Sequence, residues 1–145
     1  LTLTAGWTSW ELLRPLTAGE EGGKINVGAA SNFPEGTATY VPQGRFWVAN
    51  AGGTVFALSQ KCPHLGCRIP YCESSGRFEC PCHRSVFDLG GEWIGGPSPR
   101  GMDRHPVTLD ADNLIVDTSV HKDGPDQGAT TYLTPAKGPA CVDES

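Results

Sequence analysis

Two short segments rich in cysteine and histidine constrain the fold of this chain more than any other feature. The first reads KCPHLGC and the second reads CPCHRSVFD. Each segment pairs one cysteine with one nearby histidine, Cys62 with His64 and Cys80 with His83, and each carries one further cysteine. The intervening chain is long enough to fold back, so we expect the two segments to close around one four-ligand metal centre.

Two kinds of metal centre use two sulfur and two imidazole ligands. Tetrahedral zinc accepts such a set, and so does a two-iron cluster in which two histidines replace two cysteines on one iron. Zinc sites usually pair cysteine with cysteine and histidine with histidine. Each segment here mixes one of each, so zinc is the poorer match and stays as an alternative.

The pattern CPHLGC followed by CPCHRS resembles the two cluster-binding boxes of the Rieske iron–sulfur proteins, in the disulfide-containing branch of cytochrome bc-type complexes. The resemblance implies a Rieske-type [2Fe–2S] cluster. It implies that Cys62 and Cys80 are the sulfur ligands of one iron, and that His64 and His83 bind the other. Neutral imidazoles leave the cluster less negative than four thiolates do, so it accepts an electron more readily.

The other four of the six cysteines are expected in disulfides. The resemblance implies a bridge between Cys67 and Cys82, which would join the two boxes and, as a short loop, contributes about 3 kcal/mol. Cys72 and Cys141 have no role in the family pattern. Because exported proteins with an even number of cysteines tend to pair them, we expect a second bridge there, with free thiols as the alternative.

Four residues near the boxes are expected to tune the cluster. Ser85 matches the family serine whose hydroxyl donates a hydrogen bond to a bridging sulfide, which raises the reduction potential. Phe87 stands where many respiratory members have a tyrosine, so we expect a lower potential that suits menaquinol. Arg84 replaces a common glycine and partly offsets this through its charge. Leu65 matches the apolar residue at the cluster tip.

The composition predicts an all-β protein, because 19 glycines and 12 prolines interrupt the chain and no segment has sustained helical periodicity. RFWVAN and TVFALS, and later HPVTL and NLIVD, read as hairpins, and the second hairpin is expected to return to the main sheet. The resemblance implies an antiparallel β-sandwich base domain with a small inserted cluster-binding β subdomain. It also implies a rigid proline loop over the cluster, formed by Gly96, Pro97, Ser98 and Pro99.

We expect three regions along the chain. They are an N-terminal segment at 1–20, a Rieske domain at 21–120 with its cluster-binding subdomain at about 61–97, and a loosely ordered Pro/Gly-rich tail at 121–145. The first segment is too short and polar to span a bilayer, but Trp7 and Trp10 suit a juxtamembrane hinge.

The resemblance implies one-electron transfer, as the iron–sulfur subunit of a membrane-attached quinol:cytochrome c oxidoreductase. His64 and His83 would meet the quinol, and cytochrome b-type and c-type subunits would be the partners. A small subunit of arsenite oxidase or an oxygenase ferredoxin is the alternative, although such ferredoxins typically lack the extra cysteine pair. Disulfides favour the periplasmic or equivalent extracytoplasmic face, and the net charge of −5 argues against nucleic acid.

Overall fold

The computed structural model describes residues 22–132 and 134–142. The expected hinge around Trp7 and Trp10 lies outside the described residues. In the part that is described, eleven strands and one single-turn 3-10 helix, Ala30–Asn32, make up the regular structure, so the prediction of an all-β protein is confirmed. No helix in these ranges is long and apolar enough to cross a membrane.

The eleven strands form three antiparallel sheets. In chain order they are β1 (Lys24–Ala29), β2 (Ala38–Val41), β3 (Phe46–Ala51), β4 (Thr54–Ser59), β5 (Tyr71–Cys72), β6 (Arg77–Glu79), β7 (Val86–Phe87), β8 (Trp93–Gly95), β9 (Arg104–His105), β10 (Val107–Asp110) and β11 (Asn113–Asp117). The outer sheet has the order β1-β11-β10, the central sheet β2-β3-β4-β9 and the distal sheet β5-β6-β7-β8. The distal sheet lies within the segment 61–97 expected to bind the cluster; the region boundaries stay a prediction.

The β3–β4 hairpin is the centre of the fold. Ala51 pairs with Thr54 across a two-residue turn of Gly52 and Gly53, whose φ angles are 60° and 81°. A turn with two positive φ angles matches the twist of the strands and strongly favours glycine. The first expected hairpin is therefore confirmed, and it delivers the chain directly to the first box.

The central sheet is buried on both faces, because it separates two hydrophobic cores. The base core lies between the central and outer sheets and contains Phe33, Val41, Phe46, Val48, Ala57, Leu114 and Val116. The distal core lies between the central sheet and the two boxes and contains Ala49, Ala51, Phe56, Leu58, Cys62, Ile69, Phe78, Cys80, Phe87, Leu89 and Met102. Successive residues of a strand point to opposite faces, so β3 and β4 carry apolar residues on both faces.

The second hairpin forms as expected, but its sheet was predicted wrongly. β11 pairs with both β1 and β10 in the outer sheet, and only β9 extends the central sheet, through Arg104 and His105. Alternation explains the difference, because Leu114 and Val116 are buried while their neighbours are not. A strand with one apolar face covers a core instead of extending a sheet that is buried on both faces.

The tail also differs from expectation. Residues 121–132 and 134–142 lie against the rest of the domain, and their end is tied by a disulfide between Cys72 and Cys141. Lys122 exchanges two backbone hydrogen bonds with Arg104, at 2.8 and 2.9 Å. The low apolar content that predicted a loose tail gives no sign of such backbone contacts, whereas the bridge expected between Cys72 and Cys141 is present.

Candidate metal centre

The two boxes fold into loops with the same backbone hydrogen bonds. In the first ligand loop, residues 62–67, the Cys62 N–H donates to the Cys67 carbonyl and the Gly66 N–H donates to the Cys62 carbonyl, both at 2.8 Å. The second ligand loop, residues 80–85, repeats both bonds at 2.8 and 3.0 Å, starting from Cys80. Each loop therefore presents its cysteine and its histidine from a closed, self-bonded turn.

The fifth position of each loop adopts the left-handed conformation. Gly66 has a φ of 81° and Arg84 a φ of 62°. Glycine adopts this conformation without steric cost, whereas other residues pay roughly 1–2 kcal/mol. The departure from glycine at Arg84 is therefore a local strain within the loop that holds His83.

A disulfide joins the two ligand loops. The sulfurs of Cys67 and Cys82 are 2.06 Å apart, so neither residue offers a thiolate to a metal. Cys62 and Cys80 are the free cysteines of the described chain, and only 3% and 2% of their surfaces are exposed. The bridge thus leaves one buried thiol in each loop.

The two histidines lie together above the buried thiols, closer to the surface. The ring centroids of His64 and His83 are 4.8 Å apart. His64 is half-buried and His83 is exposed. Leu65, beside His64, is 70% exposed and forms the apolar tip. Two sulfurs inside and two nitrogens outside match the donor set of a two-iron cluster ligated unequally at its two irons.

The electrostatic setting of the thiols also fits a bound metal. Burial raises the pKa of the Cys62 thiol, and the neighbouring Cys80 thiol adds to this, while the His64 N–H and the Ser85 hydroxyl oppose it. A buried thiol with a raised pKa resists ionisation in the absence of a metal, and metal binding displaces the proton. The surroundings of Cys62 therefore fit a cluster that would hold this sulfur as a thiolate.

Ser85 links the Cys62 thiol to the proline loop. Its fully buried hydroxyl reaches the Cys62 sulfur and accepts a hydrogen bond of 3.0 Å from the Ser98 N–H. In the sequence Ser85 was expected to donate to a bridging sulfide; its placement beside a ligand-loop sulfur leaves that role as a prediction.

The proline loop packs directly on the second ligand loop. At Gly96, where φ is 87°, a Cβ atom would lie 2.5 Å from the Arg84 carbonyl oxygen and from Ser85 Cα. Ser98 is fully buried, and its carbonyl accepts a 2.6 Å hydrogen bond from Gln127 in the tail. The loop is therefore a close-fitting wall beside the second ligand loop, and its expected position over the cluster stays a prediction.

Phe87 and the remaining histidines lie away from the exposed tip. Phe87 is fully buried in the distal core and has no hydroxyl to offer a cysteine. His105 packs edge-on against Phe46 at 5.9 Å and against His121 at 5.4 Å, and His121 bonds to Asp103 at 3.1 Å. Both histidines outside the boxes therefore have neighbours of their own, apart from the ligand loops.

Sequence reasoning missed three buried carboxylates that lie near the site. Glu79, Asp88 and Glu92 are buried, with 2%, 0% and 1% of their surfaces exposed, and all three bind backbone N–H groups of the tail. Their only signal in the sequence is an acidic residue within a strand-like apolar stretch, which is where burial demands a partner.

An all-β scaffold that presents two buried thiols and two surface imidazoles from disulfide-linked loops defines an iron–sulfur electron-transfer domain. The family model described as Rieske [2Fe-2S] domain matches residues 23–108. The chain belongs to this family. Its cofactor is a Rieske-type [2Fe–2S] cluster, which replaces the zinc alternative, and its function is one-electron transfer.

Curated relatives are named as iron-sulfur subunits of the cytochrome b6-f complex. The chain is 32% identical over 95 residues to the cytochrome b6-f complex iron-sulfur subunit of Chlorobaculum thiosulfatiphilum, covering 64% of this chain and 52% of that protein. It is 38% identical over 80 residues to the corresponding subunit of Synechococcus sp. (strain JA-3-3Ab), covering 55% and 44%. The chain spans about half the length of these relatives.

Solved structures support the same fold. The crystal structure of the cyanobacterial plasma membrane Rieske protein PetC3 from Synechocystis PCC 6803 matches with a TM-score of 0.51 and 26% identity, covering 64% of this chain and 98% of that one. A chain of a hyperthermophilic respiratory Complex III matches with a TM-score of 0.50 and 26% identity, covering 78% and 90%.

Proposed function

We propose that this domain is the electron-accepting iron–sulfur subunit of a quinol-oxidising cytochrome bc-type complex, which passes electrons to a c-type cytochrome. The observation that carries the proposal is the pair of adjacent imidazoles, His64 and His83, at the protein surface beside the exposed Leu65. A surface of this kind admits a small aromatic donor, while the thiols remain covered.

The burial of the donors supports the ligand set. Cys62 and Cys80 would hold one iron of the cluster through sulfur, and His64 and His83 would hold the other through nitrogen. When bound, the cluster supplies a one-electron acceptor in the range of roughly −150 to +300 mV. The disulfide between Cys67 and Cys82 keeps the two ligand loops together, so both pairs of ligands stay in register.

The chain's own residues prepare the quinol site. Each imidazole that binds iron through one nitrogen would keep the other free for proton exchange. Once that outer nitrogen of His64 or His83 has given up its proton, it accepts a hydrogen bond, and then the proton, from a quinol hydroxyl. Leu65 contacts the quinone ring. The buried Ser85 and the proline loop exclude water from the sulfur side, so proton exchange is confined to the exposed imidazoles.

The partners and the location belong to the same proposal. Curated relatives are named as subunits of the cytochrome b6-f complex, which supports cytochrome b-type and c-type partners. The domain attaches to the membrane through an N-terminal helix outside this sequence. It lies on the periplasmic or equivalent extracytoplasmic face, because two disulfides persist best in an oxidising compartment.

A reduction titration followed by cryogenic electron paramagnetic resonance tests the proposal. We expect a rhombic signal whose midpoint potential falls as the pH rises from neutral to alkaline, because imidazole protons are taken up with the electron. His121→Gln is the matched control, since that histidine lies outside the ligand loops, and it should keep the slope. A low midpoint that stays flat across the range would contradict the quinol role and indicate a ferredoxin-like carrier.

A further inference from the structure

The last part of the tail is held by buried carboxylates of the distal sheet and its turns. We call residues 134–142 the strap. Backbone N–H groups of the strap, and of Thr131 and Tyr132 before it, donate hydrogen bonds to the carboxylates of three acids. The bonds are Thr131 and Tyr132 to Glu92, Thr134 to Asp88, and Cys141 and Val142 to Glu79. Buried carboxylates are costly unless hydrogen-bonded, so the tail and these acids stabilise each other.

Glu79 is the acid at the end of the strap. Its Oε1 accepts a 2.6 Å hydrogen bond from the Ser75 hydroxyl. Its Oε2 accepts bonds of 2.7 Å from the Cys141 N–H and 3.0 Å from the Val142 N–H. Neutral donors supply all three bonds, and two of them come from the strap. The position of this side chain therefore depends on the strap being closed.

A covalent link closes the strap at the same place. Cys72 in β5 is bonded to Cys141, with their Cα atoms 5.8 Å apart. A carboxylate oxygen of Glu79 and both sulfurs lie within 4.8 Å of one another. Ser74 adds a 2.7 Å hydrogen bond from its hydroxyl to the Pro139 carbonyl. The disulfide keeps the two amide donors in reach of Glu79.

The backbone of Glu79 leads directly into the second ligand loop. Its N–H donates to the Pro70 carbonyl at 3.1 Å, and it pairs with Val86 across β6 and β7. The next residue is Cys80, whose N–H donates to the Ser85 carbonyl at 2.8 Å. If the Glu79 carboxylate lost its hydrogen-bond partners and moved outward to reach water, the backbone between Glu79 and Cys80 would move with it.

We propose that Glu79 is a positioning residue for Cys80, and that the strap closed by Cys72 and Cys141 holds Glu79 in place. The proposal rests on the ligand role assigned to Cys80 above. When the strap is closed, the buried carboxylate is fully bonded and Cys80 stays in line with the second ligand loop. When the strap is open, Glu79 loses two donors and the sulfur ligand moves.

The test uses the full chain with its cluster and compares Glu79→Ala with Glu92→Ala. Both acids are buried and both bind tail amides, but only Glu79 adjoins a ligand. We expect Glu79→Ala to shift the g values of the reduced cluster and to speed cluster loss to a chelator several-fold. Glu79→Gln, which keeps one acceptor oxygen for the strap amides, should restore the g values. Glu92→Ala should lower the melting temperature and leave the g values unchanged.

If Glu79→Ala fails to fold, the double variant Cys72→Ser/Cys141→Ser tests the proposal in its place. It should shift the g values in the direction expected for Glu79→Ala. The proposal would be overturned if Glu79→Ala or the double variant kept the wild-type g values and the wild-type rate of cluster loss, and only its melting temperature fell. If the midpoint potential of the wild-type protein does not vary with pH, only the quinol role fails. If a Rieske signal survives in Cys80→Ser, the ligand role of Cys80 fails, and the role proposed for Glu79 fails with it.

Discussion

Ser85 shows how one buried hydroxyl serves two parts of the site. It lies against the Cys62 sulfur and also accepts the Ser98 N–H of the proline loop. A donor to sulfur stabilises the reduced, more negative cluster, while the accepted bond satisfies a buried amide. The sequence indicated the first role by resemblance, and only the folded chain indicates the second.

Ser85→Ala is expected to lower the midpoint potential and to cost about 1–3 kcal/mol of stability, because the buried Ser98 N–H loses its acceptor. Potentiometric titration and urea unfolding measure the two effects. Ser98→Ala is the control, because its hydroxyl bonds to the Arg100 carbonyl and should leave the potential in place. An unchanged potential in Ser85→Ala would show that the hydroxyl does not act on the cluster.

Phe87→Tyr is expected to raise the midpoint potential. Phe87 lies in the distal core with Cys62 and Cys80 and, by the resemblance, at the position where many respiratory members have a tyrosine. An added hydroxyl there is expected to donate to a ligand sulfur and stabilise the reduced state. Phe78→Tyr is the control, since Phe78 is equally buried in the paired strand and should only lose stability, by about 1–3 kcal/mol. A potential that stays level or falls in Phe87→Tyr contradicts the interpretation of this position.

Asp88 should make the domain less stable at neutral pH than in mild acid. Burial, with a smaller contribution from the charge of Glu92, raises the pKa of Asp88 to about 6 from 3.8. An acid with a raised folded-state pKa binds its proton more tightly when folded, so ionisation above about pH 6 costs up to about 3 kcal/mol, and the cost disappears towards pH 4.

Urea unfolding at pH 4.5 and pH 7.5 measures this dependence. Asp88→Asn should reduce it, because the amide does not ionise, although it keeps only one oxygen for the Glu92 and Thr134 N–H donors. The same pH dependence in the wild-type protein and in Asp88→Asn would assign it to other groups.

At the scale of elements, the proline loop and the second ligand loop form one packed unit. Gly96 makes this possible, because its missing Cβ leaves room for the Arg84 carbonyl and its positive φ suits glycine. Proline alone predicted a rigid loop, but its fit against the ligand loop is a tertiary contact.

Gly96→Ala is expected to push the proline loop away from the second ligand loop. We expect a loss of more than about 1 kcal/mol, from the strained backbone and the displaced Ser98, and faster cluster loss to a chelator. Gly95→Ala is the matched control, since a Cβ atom there meets nothing within 4 Å. Equal behaviour of the two variants in unfolding and chelation assays would show that the contact is unimportant.

At the scale of the whole molecule, the central sheet couples the base core to the distal core. Phe46 and Val48 face the base core, and Phe56 and Leu58 face the distal core. Two cores that share one sheet cannot lose packing independently, so we expect the described domain to unfold in one cooperative transition.

Leu58→Ala, a fully buried substitution on the distal side, is expected to cost about 2–5 kcal/mol. Loss of the cluster's visible absorption and loss of far-ultraviolet circular dichroism should shift together. Val48→Ala, on the other face, should shift both signals together as well. Cluster loss at a clearly lower denaturant concentration than loss of the β signal would show that the distal core unfolds alone.

The sequence predicted the parts of this protein that depend on local chemistry. Cysteine and histidine side chains at short spacing indicated the candidate ligands, and short turns between apolar runs, one glycine-rich and one rich in aspartate, indicated both hairpins. The resemblance between the boxes and a known family added the cluster and the bridge between Cys67 and Cys82. These features are readable because ligand type, turn geometry and disulfide chemistry are properties of a few neighbouring residues.

Only the tertiary structure decided how distant segments meet. It assigned β10 and β11 to the outer sheet, closed the tail over the distal sheet, and brought Glu79, Asp88 and Glu92 to the backbone of the strap. The physical reason is that a buried carboxylate can accept a hydrogen bond from any backbone N–H group within reach, whatever the side chain of that residue. Backbone amides are the same at every residue except proline, so no pattern of letters marks the ones that such an acid will bind.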